Sequence, residues 1–190
     1  DRPSVRDLIR TNLAEPGSRH LMLLTENGAA VQLLFDTGLL AADSQLLVGS
    51  QFPEDICELQ LVKQVNRIKH AMAKGLTVVL KDSDNIYEAL YDVLNQRYVT
   101  KVDAHGRQQR MLRLAIGSRS QLCLVHERFR CVVVVEASHA YSRLDLPLLN
   151  RFEKQILTPA LVLSSQQRAL CARVRAWVDT VATEAGADDL

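Results

Sequence analysis

The sequence predicts an α/β fold in which a mostly parallel β-sheet lies between two layers of helices. Residues 21–24, 76–80 and 131–135 are short apolar runs without two-residue alternation. Such runs are typical of strands that are covered on both faces. Stretches with helical periodicity follow them along the chain, and this alternation of strands and helices favours a parallel sheet in a three-layer arrangement.

Before and after the first of these strands, the sequence predicts short helices. Residues 4–13 have the pattern of a helix that is ended by the turn residues 15–17. The strand at 21–24 leads into a helix over residues 29–40, which stops near Gly38. This first strand-loop-helix unit is where phosphates bind in nucleotide-binding α/β proteins, so phosphate ligands would be expected in its loop.

The strongest helix signal follows a second strand at residues 46–50. Pro53 suits the first helical position and Gly75 suits the C-terminal cap. The helix between them is amphipathic. Its expected apolar stripe consists of Ile56, Leu59, Val62, Val65, Ile68 and Met72.

The middle of the chain predicts a helix and an inserted β-hairpin. After the third strand at 76–80, Asp82 and Asp84 favour the cap of a helix that extends to Leu94. From about residue 99 to residue 126 the pattern changes to period 2, which indicates a hairpin that turns at Gly117 and Ser118. The polar stretch at 103–110 is expected to form a mobile loop.

The last part of the chain predicts two strands and a long helix. The valine run at 131–135 is the fourth strand, and residues 156–162 are a candidate fifth. Ser164 and Gln167 have the spacing of a capping box at the start of the final helix. We expect that helix to bury Leu170, Val174, Trp177, Val178 and Val181.

One core accounts for this pattern. The 190 residues, 47% of them hydrophobic, are enough for a single sizeable domain. We therefore expect one module over residues 1–190, with a peripheral lead-in at 1–18, an α/β core at 20–163 that contains the hairpin at about 99–126, and a C-terminal helix at 164–185.

Charge and composition favour protein partners. The formal net charge is +1, which gives no electrostatic reason to expect binding to nucleic acid or to an acidic membrane. The sequence shows no signal peptide and no transmembrane segment. We expect a soluble, cytoplasmic protein, and the missing initiator methionine suggests a module whose neighbours lie outside this sequence.

The four cysteines predict buried thiols. Cys57, Cys123, Cys131 and Cys171 are widely spaced, lie in apolar contexts and form no C-x-x-C pair. This pattern favours free thiols in a reducing compartment over disulfides or a zinc site.

The residues that bind ATP and magnesium in P-loop proteins are missing. A P-loop requires a glycine followed by lysine, and none of the eight glycines has this neighbour. Glu26 would repel a triphosphate at the first loop. Lys81 occupies the position after the third strand where a magnesium-binding aspartate is expected, and Asp82 with Asp84 is better explained as a helix cap. We expect no cofactor in this segment.

The histidines give no site either. No pair has metal-ligand spacing, so no metal is expected. Ser138, His139 and Asp145 contain the residue types of a catalytic triad. Nothing in the sequence places a nucleophile on a strained turn, however, and triads are defined by geometry rather than by proximity in sequence.

Arg151 is the one candidate functional residue. The apolar frame of residues 148–152 predicts a short, pinned helix that leaves the guanidinium pointing outward. A guanidinium fixed in this way suits a phosphate contact. The alternative is a surface arginine in an ion pair with Glu153 or Asp145.

Three segments resemble AAA+ modules of the dynein and midasin type. They are Leu90-Tyr-Asp-Val-Leu-Asn95 on the helix after the third strand, His126-Glu-Arg-Phe-Arg130 before the valine strand, and Leu146-Pro-Leu-Leu-Asn-Arg-Phe-Glu153 after it. The resemblance implies a P-loop-NTPase-like fold with an inserted hairpin.

A narrower resemblance is to the mysterin family, giant RING-type E3 ubiquitin ligases with a dynein-like AAA core. It rests on residues 48–53, 65–69, 77–80, 86–96 and 148–154, and it extends from about His20 to Leu157. It implies a module in a ring of six AAA units within one polypeptide, of which only some bind ATP. The implied partners are adjacent AAA+ modules and, through the parent protein, the ubiquitination machinery.

The resemblance also implies a role for Arg151. This residue stands at the arginine-finger position, where it would act in trans on the γ-phosphate held by an adjacent module. The missing phosphate loop, Lys81 in place of an aspartate, and the absence of asparagine at 136–138 depart from the family pattern. They indicate a degenerate, non-catalytic module with structural or regulatory roles, whose ATP and magnesium lie in neighbouring modules.

Two other functions remain open at this point. One is an ATP-hydrolysing AAA+ unit with an unconventional phosphate loop at residues 26–30. The other is a stand-alone α/β domain that binds proteins.

Overall fold

The chain folds around a five-stranded parallel sheet. The computed structural model describes residues 3–26, 30–50, 52, 56–116 and 119–187. In chain order the elements are α1 (Val5–Ala14), β1 (His20–Thr25), α2 (Ala30–Asp36), β2 (Gln45–Val48), α3 (Glu58–Lys74), β3 (Thr77–Lys81), a 3₁₀ turn (Asp84–Ile86), α4 (Tyr91–Leu94), β4 (Val99–Val102), β5 (Gln108–Ile116), β6 (Arg119–Leu124), β7 (Arg130–Glu136), α5 (Ala137–Arg143), α6 (Leu146–Leu149), β8 (Phe152–Leu157), α7 (Pro159–Val162) and α8 (Ser165–Ala187).

The main sheet confirms the predicted fold class. Its strand order is β2-β3-β7-β1-β8, and each neighbouring pair is parallel. β1 and β7 lie at its centre, where helices cover both faces. This position explains why their apolar residues run without alternation: every residue of β1 is buried, and so are Val132 to Val135 of β7.

Alternate strand residues point into two separate apolar cores. Met22 and Val133 belong to the larger core, together with buried residues of α3, α4 and the second sheet. Leu21 and Val132 point to the other face, where they pack with Ile9 of α1 and with residues of α2 and α7. The molecule therefore has three layers, with the parallel sheet in the middle.

The inserted segment lies within the predicted bounds of about 99–126 but has three strands instead of the two of a hairpin. β4, β5 and β6 form a three-stranded antiparallel sheet. The expected mobile loop at 103–110 is instead a tight turn, because the Asp103 carboxylate accepts the backbone N–H groups of His105 at 2.8 Å and Arg107 at 2.9 Å. The predicted turn at Gly117 and Ser118 lies outside the described residues.

The helix predicted from Asp82 to Leu94 is broken into two pieces. Asp82 has a positive φ of 50°, and the Ser83 hydroxyl donates to the Lys81 carbonyl at 2.8 Å. The chain therefore bends sharply after β3 before it forms the 3₁₀ turn at Asp84–Ile86 and the short helix α4. The acidic residues do not cap a continuous helix.

The strongest predicted helix is confirmed over Glu58–Lys74. α3 ends at Gly75, whose φ of 71° is left-handed. Of the expected apolar stripe, Val65, Ile68 and Met72 are buried, but Ile56 and Leu59 are exposed. The stripe therefore enters the core only from Val65 onward. The predicted start at 53–55 lies outside the described residues.

The lead-in at 1–18 contributes more to the fold than a peripheral segment would. Ser4 and Asp7 form a capping box at the start of α1. Ile9 is completely buried in the smaller core, and Asn12 is also buried. α1 therefore packs on β1 and β8 as part of one helical layer.

The end of the chain departs from the prediction in two ways. The expected strand at 156–162 is wrong in its boundaries: β8 ends at Leu157, and α7 begins at Pro159, which has no N–H for a sheet. Ser164 and Gln167 do form the predicted capping box. The stripe of α8 that was expected to be buried is exposed at Leu170, Val174, Trp177, Val178 and Val181.

The cysteine prediction is only partly correct. Cys123 and Cys131 are buried, whereas Cys57 and Cys171 are exposed, and all four are free thiols. Burial raises the pKa of Cys131 to about 12 and also raises the pKa of Cys123. Among the described helices, none combines the length and apolarity needed to cross a bilayer.

Candidate functional site

The carboxyl ends of the central strands open into a cleft. In parallel sheets, ligands bind outside this edge, next to the point where the strand order reverses. The cleft has a volume of about 380 Å³. Its lining residues are Ser50, Ile56, Asp82, Asp84, Asn85, Glu136 and His139.

Carboxylates dominate the charge of this cleft. Lys81 is paired with Asp82, with 3.7 Å between Nζ and Oδ2. On the other side of the edge, the Thr25 hydroxyl donates to Glu136 at 3.1 Å. A triphosphate placed here would meet Asp82, Asp84 and Glu136, and its charge would be repelled.

The backbone closes tightly over the end of β3. The Gly49 N–H donates to the Lys81 carbonyl at 2.8 Å. A Cβ atom on Gly49 would lie 1.7 Å from the carbonyl oxygen of Asp82, so only glycine fits at this crossing. The loop after β2 is thus held against the Lys81-Asp82 turn at the acidic side of the cleft.

His139 has a partner other than the one that a triad would need. Its Nε2 lies 2.6 Å from Oδ2 of Asp84 across the cleft. Asp145, which precedes α6, makes no hydrogen bond with His139 in the part of the chain that the structure describes. The structure therefore joins α5 to the 3₁₀ turn through an Asp84–His139 pair, and Ser138 is not brought into a triad.

Arg151 lies at the opposite edge of the sheet. It directly precedes β8, whose first residue, Phe152, is in register with His20 at the start of β1. β1 and β8 are six residues long, so roughly 20 Å separates their amino ends from their carboxyl ends. An arginine side chain at the amino edge does not span that distance to the cleft.

The guanidinium of Arg151 is stacked on an aromatic ring. Its Cζ lies 4.3 Å from the ring centroid of Tyr91, the first residue of α4. The Cζ atom of Arg97 lies 5.2 Å from the centroid of the same ring, and Arg97 pairs with Asp92, with 3.8 Å between nitrogen and oxygen. The two contacts with the Tyr91 ring are cation–π interactions, which hold an arginine without using its N–H groups.

The expected ion pair of Arg151 is not formed. Glu153 accepts hydrogen bonds from Asn12 at 2.7 Å and from Gln155 at 3.2 Å. Within the described ranges, Arg151 has no carboxylate within ion-pair distance, whether from Glu153 or from Asp145. Its positive charge is therefore not neutralised by a direct partner.

Sequence reasoning missed Tyr91 and Arg97 as neighbours of Arg151. Both follow the third strand, more than 50 positions before Arg151, and no local pattern joins them to it. Tyr91 does lie within the segment 90–95 that carries the resemblance to AAA+ modules. That was the available signal.

The segment 126–130 has structural roles. His126 donates its N–H to the Met72 carbonyl at 2.9 Å and packs against Gly75. The Arg130 guanidinium is buried and donates to the carbonyls of Asn12, Leu13 and Ser18. Burial lowers its pKa from the ordinary value, but an arginine stays charged at any physiological pH.

Comparisons with known proteins show the family of this chain. The sequence profile of a family described as the RNF213 AAA domain matches residues 10–163. The chain is similar to the E3 ubiquitin-protein ligase RNF213 of Homo sapiens, with 38% identity over 164 residues that cover 85% of this chain and 3% of that protein.

Two further relatives give the same result. RNF213 of Mus musculus is 36% identical over 160 residues, or 84% of this chain and 3% of that protein. The ligase rnf213-beta of Danio rerio is 33% identical over 185 residues, or 93% of this chain and 4% of that protein. The chain spans 3 to 4% of the length of these curated relatives. With its parallel sheet, its inserted antiparallel sheet and a profile match over most of its length, the chain belongs to the family of RNF213 (mysterin) AAA domains.

Proposed function

We propose that this chain acts as a degenerate AAA+ module that supplies Arg151 to the ATP site of an adjacent AAA+ module in the same, longer polypeptide. The observation that carries the proposal is the position of Arg151. It lies at the amino edge of the sheet, in register with the start of β1, while the cleft of this chain lies at the carboxyl edge. A phosphate bound by Arg151 would therefore belong to another module.

The charge around the cleft supports a non-catalytic role. Asp82, Asp84 and Glu136 line it, and Lys81 is engaged with Asp82. Like charges in a confined cleft disfavour a triphosphate. The unconventional phosphate loop that the sequence left open spans Glu26 and Ala30, and its central residues 27–29 lie outside the described part of the chain.

The relatives suggest the setting of this activity. Those compared above are named E3 ubiquitin-protein ligases. We propose that the polypeptide carrying this module is a cytoplasmic E3 ligase with a dynein-like AAA core, and that the module meets the ubiquitination machinery only through that polypeptide. In this setting the module is structural and regulatory, and turnover of ATP takes place next to it.

Substitution of Arg151 in the full-length polypeptide tests the proposal. An arginine finger contributes about a thousandfold or more to phosphoryl transfer. Arg151→Ala should therefore abolish hydrolysis at the one adjacent site, and total ATP turnover should fall by the share of that site. Arg151→Lys should restore little, since lysine lacks the planar fork that reaches two phosphate oxygens.

Arg128→Ala is the matched control. Arg128 is exposed and precedes β7 at the same edge of the sheet, and its side chain has no described partner. Turnover should be unchanged in this variant. If Arg151→Ala leaves both ATP turnover and nucleotide affinity at the control level, Arg151 is a surface residue and the proposal is wrong.

A further inference from the structure

We propose that Tyr91 is the positioning residue that holds Arg151 ready for an external phosphate. The inference rests on the proposed function and adds a second residue to it. Arg151 is preceded by a helix of only four residues, α6 (Leu146–Leu149), and its long side chain has many rotamers of similar energy. The contact with the Tyr91 ring selects one of them.

The geometry of the contact leaves the donors of Arg151 available. A guanidinium has five N–H groups in its own plane. An ion pair would use two of these groups, whereas stacking on a ring uses the face of the guanidinium. The distance of 4.3 Å from Cζ to the ring centroid indicates a close contact. Arg151 is thus fixed in direction while its planar fork stays free to bind an anion.

Tyr91 is itself held firmly. Its carbonyl accepts the N–H of Asn95 at 3.1 Å and the Asn95 side-chain amide at 2.8 Å. Val93 and Leu94, which follow it on α4, are almost completely buried. Tyr91 is 43% exposed. The position of its ring therefore comes from an anchored backbone, and the ring face is accessible to Arg151.

Arg97 shows why Arg151 is the arginine left for a ligand. Arg97 lies farther from the ring, at 5.2 Å, and pairs with Asp92 at 3.8 Å. The Asp92 carboxylate offsets the charge of Arg97 and draws it away from Arg151, with which it would otherwise be in repulsion. Tyr91 and Asp92 are adjacent in sequence, so one short helix fixes both arginines.

The test compares variants of Tyr91 in the full-length polypeptide. Tyr91→Leu and Tyr91→Gln remove the ring and should lower kcat for the adjacent ATP site about tenfold, the rate equivalent of one cation–π contact. Tyr91→Phe keeps the ring face and should stay within about twofold of the unchanged protein. KM and Tm should be nearly unchanged in all three, because Tyr91 is 43% exposed and does not belong to the apolar core.

Two controls separate positioning from general damage. Tyr141 is another exposed tyrosine, on α5, and Tyr141→Leu should leave kcat unchanged. In a polypeptide that already carries Arg151→Ala, Tyr91→Leu should have no additional effect, since Tyr91 acts through Arg151. Full additivity of the two losses would overturn the inference.

The remaining outcomes distinguish this inference from the proposed function. If Arg151→Ala lowers turnover but both ring-free variants leave kcat unchanged, Tyr91 is not a positioning residue and the role of Arg151 stands. If Tyr91→Phe is as impaired as Tyr91→Leu, the hydroxyl acts rather than the ring face, and the inference is overturned. If Arg151→Ala has no effect, the proposed function fails, and the role of Tyr91 fails with it.

Discussion

At the scale of single residues, His20 shows how a buried polar group depends on its neighbours. Its Nδ1 accepts the N–H of Cys131 at 3.2 Å, so the ring is neutral with its proton on Nε2. The edge of the ring packs on Phe129, with 5.9 Å between centroids. Burial, and secondarily the charge of Arg130, lower the pKa of His20 from 6.5 to about 4.

This shift predicts a loss of stability in mild acid. The pKa of His20 in the folded chain is about 4, below 6.5 in the unfolded chain, so the unfolded state binds the proton first. The contribution of His20 is complete above pH 6.5 and is lost as the pH falls toward 4. The free energy of unfolding should decrease by about 3 kcal/mol over that window.

Urea unfolding of the unchanged chain and of His20→Gln at several pH values between 7.5 and 4 measures this effect. The glutamine retains a hydrogen-bond acceptor for Cys131 but does not titrate. Between pH 6.5 and pH 4.5, the free energy of unfolding of His20→Gln should therefore fall by about 3 kcal/mol less than that of the unchanged chain. Equal pH dependence of stability in the two proteins would show that the pKa of His20 is the same in the folded and unfolded states.

At the scale of elements, the docking of α1 depends on a residue far away in sequence. The Arg130 guanidinium at the start of β7 donates to carbonyls at the end of α1 and in the following loop, at Asn12, Leu13 and Ser18. Asn12 in turn donates to the Arg19 carbonyl at 3.0 Å and to Glu153. The sequence predicted this helix and its end correctly. It predicted no docking, since the partner is 118 positions away.

Substitution of Arg130 should release α1 before the rest of the fold. Arg130→Met keeps the aliphatic length but leaves buried carbonyls without donors, at a cost of about 3 kcal/mol. In hydrogen exchange, the amides of α1 should lose most of their protection, while those of β5 and β6 keep theirs.

Arg128→Met serves as the control for this experiment, because Arg128 is exposed two residues earlier and its loss should change neither stability nor exchange. Uniform loss of protection across both sheets in Arg130→Met would mean that the residue supports the whole core instead of α1.

Local patterns also failed where tertiary contacts set the backbone. The periodicity of residues 86–94 is helical, yet the crossing of Gly49 over the Asp82 carbonyl and the positive φ of Asp82 bend the chain into a 3₁₀ turn first. The strand predicted at 156–162 was misplaced because the true strand lacks an apolar pattern. Residues 153–155 are polar and lie between Phe152 and Ile156 of β8, so only the pairing with β1 identifies them as a strand.

At the scale of the whole molecule, the apolar runs were sufficient to predict a parallel sheet, whereas the degenerate nucleotide site inferred from the missing lysine and aspartate stays a prediction. Periodicity shows that a helix has an apolar face but does not show what covers it. The stripe of α8 was accordingly predicted as core, and in the structure Trp177 is 66% exposed. Arg151 was identified in sequence, whereas its stacking on Tyr91 required the fold.

The two edges of the sheet have opposite chemistry, and this asymmetry predicts how the chain responds to ATP. The carboxyl edge presents Asp82, Asp84 and Glu136, and the amino edge presents a stacked but unneutralised arginine. In isothermal titration and in thermal unfolding, the 190-residue chain should show no ATP binding tighter than about 1 mM, with or without Mg²⁺.

A charge-neutral variant tests whether repulsion is the cause. The variant combines Asp82→Asn, Asp84→Asn and Glu136→Gln, which remove the three carboxylates without a large change in volume. It should bind ATP more tightly than the unchanged chain, though still weakly, because no lysine or phosphate loop is supplied.

Micromolar binding of ATP by the unchanged chain would contradict the assignment of a degenerate module. The cleft would then hold a triphosphate in spite of its charge, through ligands in the residues around 26–30. Absence of binding by the 190-residue chain would be the result expected if the nucleotide that Arg151 is proposed to contact is held by another module.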